Sequence, residues 1–241
     1  MSLLDIFHSK KKKIALLIDP DQCDNNSLLF KIKLANENLV DFIFLGGSLL
    51  SKDNFEKCAE IIKSNSKIPL VLFPGSNNQL SDKADAILYL SLISGRNPDL
   101  LIGQHVQSAA TIKNMNIEVI STGYILIENG EVSSVQYMSN TMPIPRSKTE
   151  IAVNTAIAGE FLGLKTIYLE AGSGAKQSIP LEMIKATKSK ISVPLIVGGG
   201  IKSAEKALEI FNAGADIIVV GNIVENQPNK LKEICKSINK I

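Results

Sequence analysis

Apolar residues in this chain follow two rhythms. Short, largely β-branched runs at residues 14–18, 40–45, 68–73, 86–90, 117–127, 165–169, 194–197 and 215–220 read as strands buried on both faces, as parallel strands are. Between them, apolar positions recur at helical spacing over 25–38, 53–64, 99–114, 149–162 and 180–189, with a short helix near 77–82 and a last one at 228–240. On 25–38 the apolar side is Leu28, Leu29, Ile32 and Leu34. The clearest unit begins Pro-Leu-Ile-Val-Gly-Gly-Gly-Ile at Pro194. Ser203 then caps a helix that turns Ala204, Ala207, Leu208 and Phe211 inward and stops at Asn212-Ala213-Gly214. The next strand closes at Gly221-Asn222. Residues 91–98 and 128–147 read as loops, and one as long as the second is usually functional or a flap.

Eight strands, each followed by a helix and with no dividing linker, predict an α/β fold: a single (β/α)8 TIM barrel over residues 1–241. A doubly wound sheet is the alternative, but the Gly-x-Gly-x-x-Gly turn it would carry after strand one is missing.

Composition narrows the setting. With 241 residues and 45% hydrophobic content the chain can bury a large core. A net charge of +2 is too mild to argue for nucleic acid. Cys23, Cys58 and Cys235 are odd in number and scattered, which points to free thiols in a reducing compartment. No apolar run approaches the ~18 residues of a membrane span. The run from Lys10 to Lys13 reads as a solvated lead-in to strand one, and the apolar stretch after it stops at Asp19, too early for a signal peptide. The expected location is the cytoplasm.

In a barrel, chemistry collects at the C-terminal ends of the strands. Those ends carry Asp19 and Asp21, Gly46-Gly47-Ser48, Tyr124, Tyr168 with Glu170, Ser173, Gly199-Gly200 and Gly221-Asn222. Glycine turns after strands seven and eight bare backbone N–H groups to an anion with a helix N-terminus behind, the usual phosphate site of such barrels. Asp19 can hold Mg²⁺, with Ser48 as a second oxygen, or it can cap the next helix or brace the Asp-Pro turn. Glu170 can orient or deprotonate a substrate hydroxyl, or pair with a lysine on the rim. Tyr124 and Tyr168, each taken alone, read as core aromatics with satisfied hydroxyls. His8 and His105 do not cluster and read as structural.

The ordered set Ile18-Asp19-Pro20-Asp21, Phe44-Leu45-Gly46-Gly47-Ser48, Ser94-Gly95-Arg96-Asn97-Pro98 with Gly103-Gln104-His105, Tyr168-Leu169-Glu170-Ala171-Gly172-Ser173-Gly174, Val197-Gly198-Gly199-Gly200-Ile201 and Val220-Gly221-Asn222 resembles the geranylgeranylglyceryl phosphate synthase family, which includes the PcrB proteins. The match spans nearly the whole chain, and its Tyr-Leu-Glu-Ala-Gly-Ser-Gly element is the specific part. The resemblance implies a (β/α)8 prenyltransferase that joins the C3 hydroxyl of sn-glycerol 1-phosphate to a long prenyl diphosphate with Mg²⁺, giving an ether-lipid precursor. It implies magnesium at Asp19 and Ser48, and glycerol phosphate on Tyr168, Leu169, Glu170, Ala171, Gly172, Ser173 and Gly174. Glu170 and Tyr168 would be the catalytic pair, and Gly199, Gly200, Gly221 and Asn222 would hold the phosphate. Short bacterial members carry Lys two residues before the aspartate; Leu17 stands there in this chain, which is similar to the longer members. The family also implies a homo-oligomer, an apolar groove for the prenyl tail along the barrel top or side, near small residues such as Ala84 and Ala86, and transient membrane contact as product leaves. Two rivals share the glycine turns: a barrel isomerase or lyase, which needs a clear acid–base pair at the strand ends, and a non-catalytic barrel that binds a phosphorylated ligand.

Overall fold

A computed structural model describes residues 2–22, 24–221, 223–224 and 227–238. Among these, eight strands form one closed parallel barrel in chain order: β1 (Lys13–Ile18), β2 (Phe42–Leu45), β3 (Leu70–Leu72), β4 (Ala86–Leu92), β5 (Glu118–Leu126), β6 (Thr166–Glu170), β7 (Leu195–Gly198) and β8 (Ile217–Val220). β8 returns to β1, with Lys13 opposite Ile217 and Leu16 opposite Val220, which removes the doubly wound alternative. Every position of β2, β3, β6, β7 and β8 is buried. That is why these strands read as unbroken apolar runs rather than as alternation.

The helices among the described residues are α1 (Leu3–His8), α2 (Asn25–Glu37), α3 (Phe55–Asn65), α4 (Gln104–Asn114), α5 (Ser134–Ser139), α6 (Thr149–Phe161), α7 (Leu181–Lys188), α8 (Ala204–Asn212) and α9 (Asn229–Ile238). A π-helical turn, Asp99–Gly103, leads into α4. Ser203 caps α8, its hydroxyl accepting from the Lys206 N–H at 3.2 Å. On α8 it is Ala207, Ile210 and Phe211 that are buried, with Leu208 half-exposed. On α2, Leu29 faces outward and Lys31 and Ala35 are buried beside Leu28 and Ile32.

Three segments depart from the sequence-based expectation. Strand β3 has no helix after it: residues 73–85 hold only turns, and the short helix near 77–82 does not form. Pro74, Gly75, Ser76, Asn77 and Asn78 are turn formers, and the Gln79 side chain is committed to neighbouring loop backbone rather than left free on a helix face. Residues 128–147 are not wholly irregular. They hold α5, and Ile127 bridges Ile144, so the segment forms a strap across the top of β5 and β6. Finally, the lysine run is not all solvated. Lys13 is buried, and its ammonium donates to the carbonyls of Ser9 at 2.9 Å and Lys11 at 2.6 Å, closing the end of α1. Helix α1 was not foreseen. Its signal is the Ser2…Asp5 capping box, in which the Asp5 N–H donates to Ser2 Oγ at 3.0 Å and the Ser2 N–H to Asp5 Oδ2 at 2.9 Å.

The two-residue period of a strand sorts the core into a layer between sheet and helices and a filling inside the barrel. The filling includes Ala15, Phe42, Phe44, Val71, Ala86, Leu88, Ile120, Tyr124, Tyr168, Ile196 and Val219, and Phe7 of α1 plugs its lower end. Ala86 therefore lies inside the barrel and does not line a groove on its flank. Aromatic rings run up this interior: Phe7 lies 4.9 Å from Phe42, Phe44 lies 6.2 Å from Phe73, and Phe73 stacks on Tyr168 at 5.3 Å. Continuing the inward parity by one step brings Asp19, Glu170, Gly198 and Gly221 to the C-terminal mouth.

Candidate active site

Glu170 ends β6 and turns into the mouth, with 5% of its surface exposed. Burial pushes its carboxyl up to about 7, although the Gly172 N–H and the nearby Tyr168 hydroxyl favour the ionised form. The Gly172 N–H donates to Glu170 Oε1 at 2.6 Å. Tyr168 is core in its ring, which stacks on Phe73, but its buried hydroxyl is not satisfied: no partner stands in hydrogen-bonding geometry. It lies close enough to Glu170 for each group to perturb the other, and burial followed by the Glu170 charge raises the phenol well above 10. The phenol is thus a protonated donor at neutral pH. Tyr124, 5.2 Å from Tyr168 ring to ring, completes the floor with Phe73.

Strand β7 passes this pair so closely that only glycine fits. A Cβ on Gly198 would stand 2.2 Å from Tyr168 Oη and 2.8 Å from Glu170 Oε2; one on Gly199, at φ +83°, would stand 2.6 Å from Glu170 Oε1. Gly200, at φ +69°, meets the Gln177–Ser178 backbone on the way to α8. These glycines therefore admit the acid as well as making the turn. The following loop is braced from two sides. The Ala171 N–H donates to the Gly198 carbonyl at 3.1 Å, and the Asn129 amide of the strap donates to the Ala171 carbonyl. Gly172, at φ +100°, packs on Ser133. Leu169 is buried behind the site, while Ser173 and Gly174 stand exposed at the rim.

Gly198→Ala tests this packing. The new methyl overlaps a phenol whose ring is pinned by Phe73, so the variant should lose roughly 1–3 kcal/mol of stability. Turnover should fall by roughly 100-fold as Glu170 is displaced. Tyr168→Phe in the same chain removes the nearest clashing atom but leaves the ring carbon and Glu170 Oε2 within 2.9 Å, so it should restore part of the stability, read as thermal midpoints of the single and double variants.

Across the mouth, Asp19 follows β1. Its Oδ1 accepts the Asp21 N–H at 3.0 Å, so it does brace the Asp-Pro turn. It does not cap α2; Asp24 does, accepting from the Ser27 N–H at 2.7 Å. The Asp19 carboxylate also lies on Gly47, where a Cβ would be 3.0 Å from Oδ1 and 3.4 Å from Oδ2. Half-exposed Ser48 is the next residue along. Asp21 is turned to other work, accepting from the Ser51 N–H at 2.6 Å, Ser51 Oγ at 2.8 Å and the Lys52 N–H at 3.2 Å. Between the poles Gly221 faces Leu17, with space for a Cβ at 3.4 Å, so closeness there does not demand glycine. Asn222, singled out in the sequence, lies outside the described residues, as does Cys23. His105 packs edge-on to Tyr89 on the outer side of β4, consistent with a structural role.

Among the described residues no three His, Cys, Asp or Glu side chains gather as a metal cluster. A single carboxylate lying on Gly47, with Ser48 next in the chain, still fits a hard cation that keeps its waters and takes most other ligands from substrate phosphates.

Fold and mouth together define a class: (β/α)8 barrels with a buried acid, glycine turns and a second carboxylate at the C-terminal strand ends, where enzymes of this architecture keep their active sites. The PcrB family model matches residues 7–238, and the chain belongs to the PcrB family. It is 50% identical over 228 residues to the geranylgeranylglyceryl phosphate synthase of Chitinophaga pinensis, covering 95% of this chain and 90% of that one. To the synthase of Methanothermobacter thermautotrophicus it is 39% identical, with 100% of both chains covered. The solved (S)-3-O-geranylgeranylglyceryl phosphate synthase of Thermoplasma acidophilum, in complex with its substrate sn-glycerol-1-phosphate, matches with a TM-score of 0.94 at 30% identity over 100% of both chains.

Proposed function

We propose that this protein is a prenyltransferase that moves a geranylgeranyl group from its diphosphate to the C3 hydroxyl of sn-glycerol 1-phosphate, forming an ether-lipid precursor. One observation carries the proposal. The buried Glu170, framed by Tyr168 and the glycines of β7, sits in a barrel that matches end to end a relative holding sn-glycerol-1-phosphate. In this assignment the Gly199–Gly200 turn and the N-terminus of α8 take the phosphate, with Gly221 and Asn222 beside them. Residues 168–174 embrace the glycerol, and the Glu170 carboxylate accepts a hydrogen bond from its C3 hydroxyl. The hydroxyl oxygen bonds to C1 of the prenyl chain, the bond from C1 to the diphosphate oxygen breaks with its electron pair leaving on diphosphate, and the hydroxyl proton passes to Glu170. Tyr168, a protonated phenol without a partner of its own beside Glu170, is the donor left for the substrate in the same corner.

Asp19 and Ser48 would hold Mg²⁺, which when bound offsets charge on the departing diphosphate. The prenyl tail would run down the barrel flank. Because β3 has no helix after it, a small cleft of about 50 Å³ lies there between residues 74–80 and α4, with Pro74, Leu80, Ile87, Tyr89, Leu90 and Ile112 on its apolar side and Asn77, Gln104 and His105 on its polar side, and a long prenyl chain would have to widen it. The proposal includes a cytoplasmic homo-oligomer that meets the membrane only as product departs; among the described residues no helix is long and apolar enough to cross one.

The decisive assay incubates the protein with Mg²⁺, sn-glycerol 1-phosphate and, separately, farnesyl, geranylgeranyl and heptaprenyl diphosphates, with sn-glycerol 3-phosphate as control. The expected product is a geranylgeranyl ether of the 1-phosphate alone, identified by mass. Absence of any ether despite tight glycerol-phosphate binding overturns the transferase assignment in favour of a binding protein.

A further inference from the structure

Gln79 lies in the helix-less segment after β3, 1% exposed, and no sequence motif marks it. Its side-chain amide makes three hydrogen bonds to backbone from two neighbouring strand ends. Oε1 accepts the N–H of Gly47 at 3.1 Å and of Gly75 at 3.2 Å, and Nε2 donates to the Gly47 carbonyl at 2.7 Å. The two loops touch closely around it. A Cβ on Gly75 would stand 2.2 Å from the Gly47 carbonyl oxygen and 2.9 Å from Ser48 Cα, and one on Gly46 would stand 1.8 Å from the Phe73 carbonyl oxygen. On its other side Gly47 carries the Asp19 carboxylate.

We infer that Gln79 is a positioning residue for the diphosphate-binding half of the mouth. A Gly46-Gly47 peptide has little conformational preference of its own. With both its N–H and its carbonyl held by one buried amide, Gly47 cannot rotate, and Ser48 and Asp19 keep one mutual placement. An apolar residue at 79 would strip the half-buried Gly47 of the partner for both its N–H and its carbonyl, and the Gly75 N–H of its acceptor, and the loop would turn to find others. The glycerol-phosphate half, on β6 to β8, makes no use of Gln79. Losing Gln79 should therefore separate the two substrates.

The inference rests on the assignment of Asp19 and Ser48 to magnesium and diphosphate. Its test is calorimetric: Mg²⁺ with inorganic diphosphate, and separately sn-glycerol 1-phosphate, titrated into the wild type, Gln79→Leu, Gln79→Glu and Asp19→Asn. Gln79→Leu should weaken Mg²⁺-diphosphate by about tenfold or more and leave glycerol 1-phosphate within about twofold. Gln79→Glu has the same shape and keeps the acceptor but loses the donor to the Gly47 carbonyl; it should show the same selective loss and covers the case in which the leucine variant does not fold. Unchanged diphosphate affinity in both Gln79 variants, or equal weakening of both ligands, overturns the role of Gln79 while Asp19→Asn still loses diphosphate. Diphosphate binding that survives Asp19→Asn, or is absent from the wild type, instead overturns the underlying assignment and the inference with it.

Discussion

Asp19→Asn is expected to lower kcat/KM by roughly 100- to 1,000-fold while leaving the thermal midpoint nearly unchanged. The two halves of this expectation come from different properties of one side chain, an acceptor oxygen and a charge. For the fold, Asp19 supplies an oxygen that accepts the Asp21 N–H at 3.0 Å. Asparagine keeps that acceptor in the same place, so the turn after β1 survives. For the chemistry, it supplies a negative charge on the wall formed by Gly47, beside Ser48. Asparagine removes the charge, and with it the hard anionic ligand on which the proposed magnesium site depends. Asp21→Asn should behave in the opposite way. Its carboxylate accepts three hydrogen bonds from Ser51 and Lys52, so that change should loosen the loop after β2 without removing the charge from the mouth. The half-saturating Mg²⁺ concentration of the two variants is the measurement that separates them. An Asp19→Asn variant with wild-type turnover would reduce Asp19 to a turn residue.

How much of this could be read beforehand follows from what kind of contact each residue makes. The barrel was legible because parallel strands buried on both faces leave unbroken apolar runs, and because glycine, proline and capping serine punctuate them. Ser203 and α8 came out as expected for that reason, although the helix face was misjudged by one position at Leu208, where the apolar stripe is wide enough to admit either choice. Missing from the pattern was anything decided by distant backbone. The segment at 77–82 has residues compatible with a helical turn, yet Gln79 takes its partners from Gly47, 32 residues earlier. Glu170 stood out by its place after an apolar strand. The reason β7 ends in glycine at 198 and is followed by glycine at 199 is steric contact with Tyr168 and Glu170, and strand order alone does not carry that. The strap reads as loop because Asn129 and Ser133 find their partners after β6 and Ile144 at the end of β5, at separations no local pattern encodes.

Glu170→Gln should lose most of its turnover and yet be more stable than the wild type above neutral pH. Burial raises the Glu170 carboxyl from 4.5 to about 7. The folded chain therefore holds this proton in a range where the unfolded chain has released it. Stability linked to the group is fully present below about 4.5 and is lost as pH rises through about 7. The full difference corresponds to about 3 kcal/mol. Glutamine has no proton to lose, and its carbonyl oxygen can still accept the Gly172 N–H that now reaches Glu170 Oε1 at 2.6 Å. Denaturation curves of the two proteins should thus diverge in favour of glutamine between pH 5 and pH 8, with little change in the gap at lower pH. Turnover moves the other way. A proton acceptor must be ionised, so wild-type kcat/KM should climb about tenfold per pH unit below 7 and level off above it. Glutamine should flatten that limb along with the rate. If Glu170 only orients the hydroxyl through a hydrogen bond, the stability crossover remains but a substantial, pH-independent rate survives in the glutamine variant. The cost of burying an acid that must ionise is what the glycines at 198 and 199 and the unsatisfied Tyr168 hydroxyl are arranged around. A charge that destabilises the empty barrel is held where a bound hydroxyl can donate to it.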